Sequence, residues 1–598
     1  MPADLHEEQV LGKAYDARLM RRLLKYLRPY SRPAFLALIF ILAASGITVI
    51  QPYLTKVAID RYIRNGDFAG LNTIALVYLL TLAAEFAFSF GETWVLNLMG
   101  QQIMYDLRME IFSHLQKLHV AFFDKNPVGR LMTRVTTDVD ALNELFTAGV
   151  ISIFGDLCTL TGIVITLFLL NYKLALAIFS VVPLLFLITL LFKIKVRDSF
   201  RWVRTAIARI NAFLQENITG TAVVQIFGQE KKQHDRFTRI NLQHLNANLQ
   251  SIFYYAIFYP LLELVGALAV GLIVWYGGLQ VFAGSLTLGA LIAFVQYSDR
   301  FFRPIQDLSE KYTILQSAMA SSERIFKLLD TAPAITSPAD SKAQTVGRGS
   351  VEFRNVTFAY NPGETVLHDI SFKAQPGERI ALVGATGAGK STIIGLLSRF
   401  YDVQQGEILV DGINIKEFDL HGLRRSIGIV LQDVFLFSGT VMDNVRLWNN
   451  DISEEQARKA SETVHAAHFI ERIEKGYETQ VGERGSSLSV GQKQLLAFAR
   501  ALAYDPKILI LDEATSSIDT ETEVLIRDAL EKLLAGRTSI IIAHRLSTVQ
   551  NADRIIVLHR GHIREVGSHQ ELLKLKGIYW RLYQLQYKDQ LVGIAKAK

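Results

Sequence analysis

Apolar residues are unevenly distributed along the chain: long runs fill about the first 310 residues, and short alternating runs follow. Six of the long runs approach the roughly 20 apolar residues that an α-helix needs to cross a bilayer. They cover residues 34–56, 71–96, 147–169, 173–194, 252–277 and 286–308. The pattern predicts six transmembrane helices. Residues 1–30 precede them and include an amphipathic elbow helix in the membrane interface, with leucines on one side and basic residues on the other.

Basic residues between these runs predict which helix ends face the cytoplasm. Lysines and arginines crowd the segment before the first run, the stretch between runs two and three, and the stretch between runs four and five. By contrast, the connection at 171–173 is minimal, and residues 277–289 carry no charge. The positive-inside rule places the basic stretches and both termini in the cytoplasm. Because the first run is long and no signal-peptide cleavage pattern follows it, we expect it to be retained as a membrane helix. Our expectation for the whole chain is an integral multi-pass protein of a bacterial inner (cell) membrane.

The two long basic stretches between runs have a helical period of their own. We therefore predict that the membrane helices continue into the cytoplasm by some 25 residues, which is roughly 35–40 Å. The period breaks at Asp124–Gly129 and at Glu216–Gly220, where Pro or Gly favours a turn. A short helix is predicted after each turn, over Arg130–Asp138 and Thr221–Phe227. These two cytoplasmic tips are the parts of the membrane domain best placed to contact another domain.

A change of pattern separates the membrane part from the rest of the chain. Residues 330–349 are rich in Ala, Pro, Ser, Thr and Gly without periodicity, which is typical of a linker. Short strands follow, with a hairpin turn at Asp411–Gly412 and a helix capping box at Ser568–Glu571. The predicted domains are a membrane helical bundle over 31–329, the linker 330–349, and an α/β domain with an added antiparallel sheet over 350–598.

Residues 384–392, GATGAGKST, match the phosphate-binding pattern G-x-x-x-x-G-K-[ST] without a gap. The glycines let the backbone bend until its N–H groups point at a phosphate chain, while Lys390 adds positive charge and Ser391 offers a hydroxyl to Mg²⁺. The flanking residues predict a buried strand over Arg379–Val383 and a helix over Ile393–Phe400. A bound nucleotide is predicted to contact Gly384, Thr386, Gly387, Ala388, Gly389, Lys390, Ser391 and Thr392.

A second apolar strand, Ile508–Leu511, ends in the adjacent acids Asp512 and Glu513. A parallel strand beside the phosphate loop would let Asp512 hold Mg²⁺ through water and let Glu513 polarise an attacking water. Two acids also occur simply at the end of a strand. Their interpretation therefore depends on the motifs that accompany them.

The segment Leu488–Gln492, LSVGQ, resembles the LSGGQ signature of the ATP-binding cassette (ABC) family. The resemblance continues in order along this half of the chain. Tyr360 matches the aromatic residue that stacks on adenine, and Gln432 matches the glutamine that senses the γ-phosphate and Mg²⁺. Asp519 lies in the matching loop after the catalytic acid, and His544 matches the switch histidine. The resemblance implies a catalytic role for Glu513 and His544, and Mg²⁺ coordination with bound ATP by Ser391, Gln432 and Asp512.

Six spans ahead of one cassette resemble a half-transporter of the type IV exporter group. The resemblance implies that two chains pair, either as a homodimer or with a related chain, and that the tips near 124–138 and 216–228 are coupling helices. The implied activity is export of an amphipathic small molecule, drug-like or lipid, driven by ATP hydrolysis through alternating access. A nucleotide-gated channel or regulatory membrane protein on the same architecture is the alternative. The partner's ATP would be contacted in trans by Ser489, Val490, Gly491 and Gln492.

Net charge and cysteine content bear on two questions: whether the protein binds nucleic acid, and whether its compartment is reducing. The net charge of +6 over 598 residues is small and gives no reason to expect nucleic acid binding. Cys158 is the only cysteine, so no intrachain disulfide can form and a reducing compartment is compatible.

Two features leave alternatives open. Val490 stands where the signature usually has its first glycine, either because the chain works with a different, related partner or because valine is tolerated there. Four acids lie within the predicted spans, Glu85, Glu92, Asp156 and Glu263, and they are candidates to line a cavity for a cationic or amphipathic cargo. Alternatively, Glu92 and Asp156 lie near the membrane interface or pair with a base across helices.

Overall fold

The computed structural model describes residues 16–341, 345–512, 520–543 and 546–586 of the 598-residue chain. The chain divides into two compact units. The first combines the residues up to Leu115 with Gly129–Thr331, and the second combines Gln116–Val128 with the residues from Ala332 onward. The second unit thus includes a short piece of the membrane half of the chain, which the hydrophobic pattern did not indicate.

The described residues before 330 form helices and no strands. The α-helices are α1 (Ala17–Lys25), α2 (Ser31–Val57), α3 (Phe68–Lys117), α4 (Val120–Lys125), α5 (Val128–Val135), α6 (Thr137–Glu144), α7 (Val150–Leu170), α8 (Tyr172–Phe179), α9 (Val182–Thr219), α10 (Thr221–Ile226), α11 (Glu230–Phe282) and α12 (Leu288–Leu329). Two π-helical segments, Ala58–Ile63 and Leu145–Gly149, extend α2 and lead into α7.

Helices occupy all six predicted spans within the described part of the chain. Five helical stretches there are long and apolar enough to cross a membrane: Arg28–Ile63, Phe68–Lys117, Val128–Leu170, Tyr172–Thr219 and Glu230–Phe282. The sixth, α12, has 42 residues and carries several charges, including Arg300 and Lys311. The predicted six-helix membrane bundle is confirmed.

The fourth predicted span, 173–194, is divided between two helices. Helix α8 ends at Phe179, and α9 begins at Val182 with Pro183 in its first turn. A proline is tolerated there because its missing N–H would have no partner within the helix, whereas in the interior of a continuous helix it would clash with the preceding turn. The break therefore has a local cause in the sequence.

The membrane helices continue well beyond the thickness of a bilayer, as predicted. Helices α3 and α11 have 50 and 53 residues, about 75–80 Å at 1.5 Å per residue. The predicted second-tip helix is present as α10, directly after Gly220. At the first tip the turn at Asn126–Pro127 is preceded by the six-residue helix α4, which is too short to leave a detectable period in the sequence.

Polar contacts between helices account for two of the four acids in the spans. Asp156 of α7 forms an ion pair with Lys311 of α12. Glu85 of α3 accepts a hydrogen bond from Gln51 Nε2 at 2.5 Å, and Gln51 Oε1 accepts one from Arg300 Nη2 at 2.6 Å. Gln51 is buried. Asp156 therefore pairs with a base on another helix, which is one of the alternatives given above. Glu85 belongs to a hydrogen-bond network that joins α2, α3 and α12.

The second unit is built on β-sheets, as predicted. Its strands are β1 (Val351–Ala359), β2 (Thr365–Ala374), β3 (Arg379–Val383), β4 (Gln405–Val410), β5 (Ile413–Asn414), β6 (Ile427–Val430), β7 (Gly439–Thr440), β8 (Gln480–Val481), β9 (Ile508–Asp512), β10 (Thr538–Ile542), β11 (Arg554–His559) and β12 (His562–Gly567). One sheet has the order β12-β11-β3-β10-β9-β6, parallel except for β12. The added antiparallel sheet has the order β2-β1-β4-β5.

Alternate residues of the central parallel strands enter two separate cores, one on each face of the sheet. Leu509 and Ile541 pack in one apolar cluster, whereas Ile508 and Ile540 pack in the other. This follows from the two-residue period of a strand that is covered on both faces. The helices of this unit after the linker are α13 (Lys390–Leu397), α14 (Leu420–Arg425), α15 (Val441–Arg446), α16 (Glu454–Thr463), α17 (Ala466–Ile470), α18 (Val490–Ala503), α19 (Thr520–Leu534), α20 (Leu546–Gln550), α21 (His569–Leu575) and α22 (Ile578–Gln586).

Candidate functional site

The phosphate-loop motif lies between strand β3 and helix α13, the arrangement that the sequence predicts. Gly389 caps α13 with a φ of +102°, and a Cβ at this position would lie 2.5 Å from a side-chain carbon of Leu367. A Cβ on Gly384 would lie 2.3 Å from the carbonyl oxygen of Leu558. Glycine is therefore required at both ends of the loop for steric reasons, and the loop leads its backbone N–H groups into the start of a helix.

Lys390 is buried within this loop. Its Nζ donates to the carbonyl oxygens of Gly384 at 2.7 Å and Ala385 at 3.1 Å. Burial lowers the pKa of Lys390, and the nearby carboxylate of Asp512 acts in the opposite direction. An ammonium group held on two carbonyls inside a loop of N–H groups provides a positive charge for an anion that enters the loop.

The aromatic side chain proposed for adenine stacking is linked to the same helix. The hydroxyl of Tyr360 donates to Thr392 Oγ1 at 3.2 Å, and the residue as a whole is 43% exposed. Thr392 is buried, whereas Ser391 is exposed at the start of α13. The structure thus brings the candidate base-binding and phosphate-binding residues together at one end of α13.

The strand order corrects one sequence-based expectation. Asp512 ends β9, which is parallel to β3 as expected but not beside it, because β10 lies between the two strands. Gln432 follows the end of β6 and is exposed. Because the carboxyl ends of parallel strands meet at one edge of a sheet, Gln432, Asp512 and the phosphate loop share that edge.

Three predicted site residues, Glu513, Asp519 and His544, lie outside the described residues. Strand β9, which precedes the first two, ends at Asp512, and strand β10, which precedes the third, ends at Ile542.

The signature segment forms the start of helix α18. Ser489 caps it with a reciprocal capping box: its hydroxyl accepts from Gln492 N at 3.3 Å, and Gln492 Oε1 accepts from Ser489 N at 3.0 Å. Val490 has a helical backbone and is 55% exposed, while Gly491 is buried. Position 490 therefore needs no backbone conformation that only glycine can adopt, and its side chain faces outward beside the cap.

The structure adds a contact near this site between Tyr401, which was not singled out from the sequence, and Asp124, which was named only as the start of a turn. Tyr401 donates a hydrogen bond to the carboxylate of Asp124, and its ring meets that of Tyr360 edge to face with centroids 5.1 Å apart. The two partners of the hydrogen bond are 277 positions apart. No local pattern could have revealed a contact of that separation.

These features define a class of protein: a helical membrane domain fused to a phosphate-binding α/β ATPase domain. The chain belongs to the ABC transporter family. The family model described as the ABC transporter transmembrane region matches residues 34–305, and the model described as ABC transporter matches residues 367–516.

Relatives over the whole chain narrow this further. The ATP-dependent lipid A-core flippase of Syntrophus aciditrophicus is 36% identical over 575 residues, covering 96% of each chain. The probable multidrug resistance ABC transporter ATP-binding/permease protein YheH of Bacillus subtilis is 39% identical over 536 residues, covering 88% of this chain and 79% of YheH. A solved structure of a bacterial Atm1-family ABC exporter with ATP bound matches with a TM-score of 0.74 at 30% identity, covering 96% of this chain and 99% of that chain.

The protein is thus an ABC exporter half-transporter of the multidrug and lipid type. It binds ATP and couples ATP hydrolysis to transport across the membrane in which its helices are embedded.

Proposed function

We propose that this protein exports an amphipathic small molecule, drug-like or lipid, by alternating access as a dimer of half-transporters. One observation carries the proposal: a single cassette has both a phosphate loop with a buried Lys390 and a capped signature helix that begins at Val490. The first can hold a nucleotide, and the second can complete the site of a partner chain. A cassette that had only the phosphate loop or only the signature helix could not form two equivalent ATP sites in a dimer.

The proposed cycle follows from which groups contact the nucleotide in each state. The phosphate loop and Lys390 hold ATP, while the N-terminus of the partner's α18 and its Ser489 contact the γ-phosphate. A helix N-terminus favours an anion through its unpaired N–H groups and its dipole. Hydrolysis and phosphate release remove this contact, so the closed dimer loses the interaction that distinguishes it from the open one. The tips of the membrane helices transmit this change to the cargo pathway.

The chemical step is assigned to Glu513 as general base, with His544 as its orienting partner and Asp519 in the loop that follows the acid. The residues present also fit a Mg²⁺ ion held mainly by the nucleotide. Ser391, Gln432 and Asp512 offer the hard oxygen donors that Mg²⁺ prefers, and the described residues contain no cluster of three or more His, Cys, Asp or Glu side chains able to form an all-protein site. When bound with ATP, the ion would neutralise charge on the β- and γ-phosphates.

An amphipathic cargo is supported by the relatives named as a lipid A-core flippase and a multidrug resistance transporter. Two of the acids predicted in the spans are candidates to contact a cationic group of such a cargo. Glu92 is half-buried on α3, and Glu263 is exposed on α11. If Glu92→Gln and Glu263→Gln both transport cations as the native protein does, the acids have no part in cargo binding.

The proposed orientation places the cassette and both termini in the cytoplasm of a bacterium, with the six helices in the inner membrane. Protease digestion of oriented membrane vesicles tests it directly. Cytoplasmic exposure predicts cleavage of the cassette only in inverted vesicles. Cleavage in right-side-out vesicles would contradict the orientation.

Transport is tested in proteoliposomes that contain the purified protein, with fluorescent lipid analogues and cationic amphiphiles as probes. We expect ATP-dependent movement of at least one probe, stimulation of ATP hydrolysis by that probe, and loss of both in Lys390→Ala. Nucleotide-dependent ion conductance without movement of any probe would instead favour the channel alternative.

The partner is identified by isolating the tagged chain from its native membrane. Because Val490 adopts an ordinary helical conformation, the departure from the signature does not in itself require a different partner. A second, related half-transporter recovered in equal amount would establish a heterodimer. A stable dimer of this chain alone with probe-stimulated hydrolysis would establish a homodimer.

A further inference from the structure

A continuous set of contacts runs from the first cytoplasmic tip to the start of helix α13. The tip segment, defined here as residues 116–128, belongs to the same compact unit as the cassette. Within it, Asp124 near the end of α4 accepts the hydrogen bond from the hydroxyl of Tyr401. The linker also contacts the tip segment, because the backbone N–H of Ala334 donates to His119 Nδ1 at 3.2 Å.

Tyr401 contacts two elements of the nucleotide site in addition to the tip segment. Its ring lies over Gly395 of α13, where an added Cβ would be 3.4 Å from two of its carbons. Its ring also meets Tyr360 at an interplanar angle of 88° and a centroid distance of 5.1 Å. Phe358, which is buried, meets both tyrosine rings, at 4.9 Å from Tyr360 and 5.7 Å from Tyr401.

An open groove lies along these contacts. Its volume is about 690 Å³, and its walls include Tyr360, Tyr401, Asp124 and Lys125. This volume is within the range of sites that hold small ligands. One wall of the groove therefore comes from the tip segment, which precedes the linker in the chain. Another includes Tyr360, the residue proposed to stack on adenine.

We infer that Tyr401 is a positioning residue that couples the tip segment to ATP affinity, by fixing the ring of Tyr360 when its own hydroxyl is held by Asp124. This inference rests on the proposed role of Tyr360 in adenine stacking. The ring of Tyr360 is held on one side by its hydrogen bond to Thr392 and on another by the edge contact with Tyr401. Loss of the Asp124 hydrogen bond frees Tyr401 to rotate and leaves Tyr360 less preorganised for a base.

The test compares Tyr401→Phe, which removes only the hydroxyl, with Asp124→Ala, which removes the acceptor. We expect each to raise the KM for ATP about three- to tenfold, which corresponds to the net contribution of an ordinary hydrogen bond, while kcat stays within about twofold. The double variant should be no worse than either single variant, because both changes remove the same interaction.

Tyr504→Phe is the matched control, since it removes a cassette hydroxyl that donates to the carbonyl of Arg446 at 2.9 Å and does not contact the tip segment. Its KM for ATP should equal that of the native protein. Asp124 is exposed, so Asp124→Ala tests the inference even if Tyr401→Phe folds poorly. A native KM in Asp124→Ala, or effects of the two changes that multiply in the double variant, would overturn it. Because hydrolysis is measured without cargo, this outcome is independent of whether the protein exports an amphipathic molecule.

Discussion

Asp138 of α6 and Arg324 of α12 form a partly buried ion pair, in which Arg324 Nε donates to Asp138 Oδ2 at 3.0 Å and its Nη2 donates to Oδ1. The Asp138 side chain is only 7% exposed. It also accepts hydrogen bonds from Arg134 at 3.2 Å and from Ser321 at 3.0 Å. The carboxylate of Asp138 therefore holds helix α6 against helix α12, the last helix before the linker.

We expect Asp138→Ala to lower the free energy of unfolding by about 1.5–3 kcal/mol, because it removes the buried carboxylate that accepts charged hydrogen bonds from Arg134 and Arg324. The unfolding midpoint of the purified protein in detergent measures this effect. Asp140→Ala is the control: Asp140 is on the same helix and pairs with Arg108, but its side chain is 65% exposed. An exposed pair contributes about 0–1 kcal/mol. Equal shifts in the two variants would contradict the assignment of the larger effect to burial.

Glu513→Gln is expected to separate ATP binding from hydrolysis. The amide keeps the size of the side chain but cannot accept a proton from water, so hydrolysis should fall by about 10²–10⁴-fold. ATP should still bind and hold the cassettes together. Single-turnover hydrolysis and size-exclusion chromatography with ATP measure the two effects. Native turnover in this variant would overturn the assignment of Glu513 as general base.

Asp411 makes the stability of the cassette depend on acid pH. Its Oδ2 accepts from the backbone N–H groups of residues 347, 348 and 349 at 2.9, 2.8 and 3.2 Å, and its Oδ1 accepts from Ser350 N at 2.8 Å. Burial by itself raises the pKa of Asp411, but these four hydrogen bonds outweigh it and the net pKa is lowered. A lowered folded-state pKa means that the stabilisation is complete above the unfolded value of about 4 and is lost as the pH falls through the folded value.

Asp411→Asn should therefore be less stable than the native protein at pH 7, and the difference should shrink as the pH falls below about 4. Unfolding midpoints across that range provide the measurement. Asp451 forms an exposed ion pair with Arg425, so the stability difference between Asp451→Asn and the native protein should stay small and change little with pH. A difference for Asp411→Asn that is independent of pH would show that its carboxylate charge is not responsible.

Ser489 and Val490 are expected to differ in their effect on hydrolysis. Ser489→Ala removes the cap of α18, at a cost of about 1 kcal/mol, and also removes the hydroxyl proposed to contact the partner's ATP. Val490→Gly removes an exposed apolar side chain from a position with ordinary helical backbone. Steady-state ATPase rates should therefore fall at least tenfold for Ser489→Ala, about 1.4 kcal/mol in a rate, and change within about twofold for Val490→Gly. A larger effect of Val490→Gly would indicate that valine itself tunes the shared site.

Much of the local structure follows from short stretches of sequence. The strand over Arg379–Val383 has the predicted bounds, the hairpin at Asp411–Gly412 joins β4 to β5, and Ser568 caps α21 in a box with Glu571. Each is set by neighbours within a few residues, through strand period, turn chemistry or capping. The helix after the phosphate loop begins three residues earlier than predicted, at Lys390, because Gly389 itself forms the cap.

Hydrophobic period and motif spacing are local properties of a chain, so the membrane helices and the strand, loop and helix of the phosphate motif could be predicted from short stretches of sequence, whereas the signature segment was recognised by its resemblance to a family. The position of β10 between β9 and β3, the ion pair of Asp156 with Lys311 and the hydrogen bond of Tyr401 to Asp124 could not be read from any local pattern. Such pairs are separated by many residues and are selected by packing and electrostatic complementarity in the folded state, which no local pattern records.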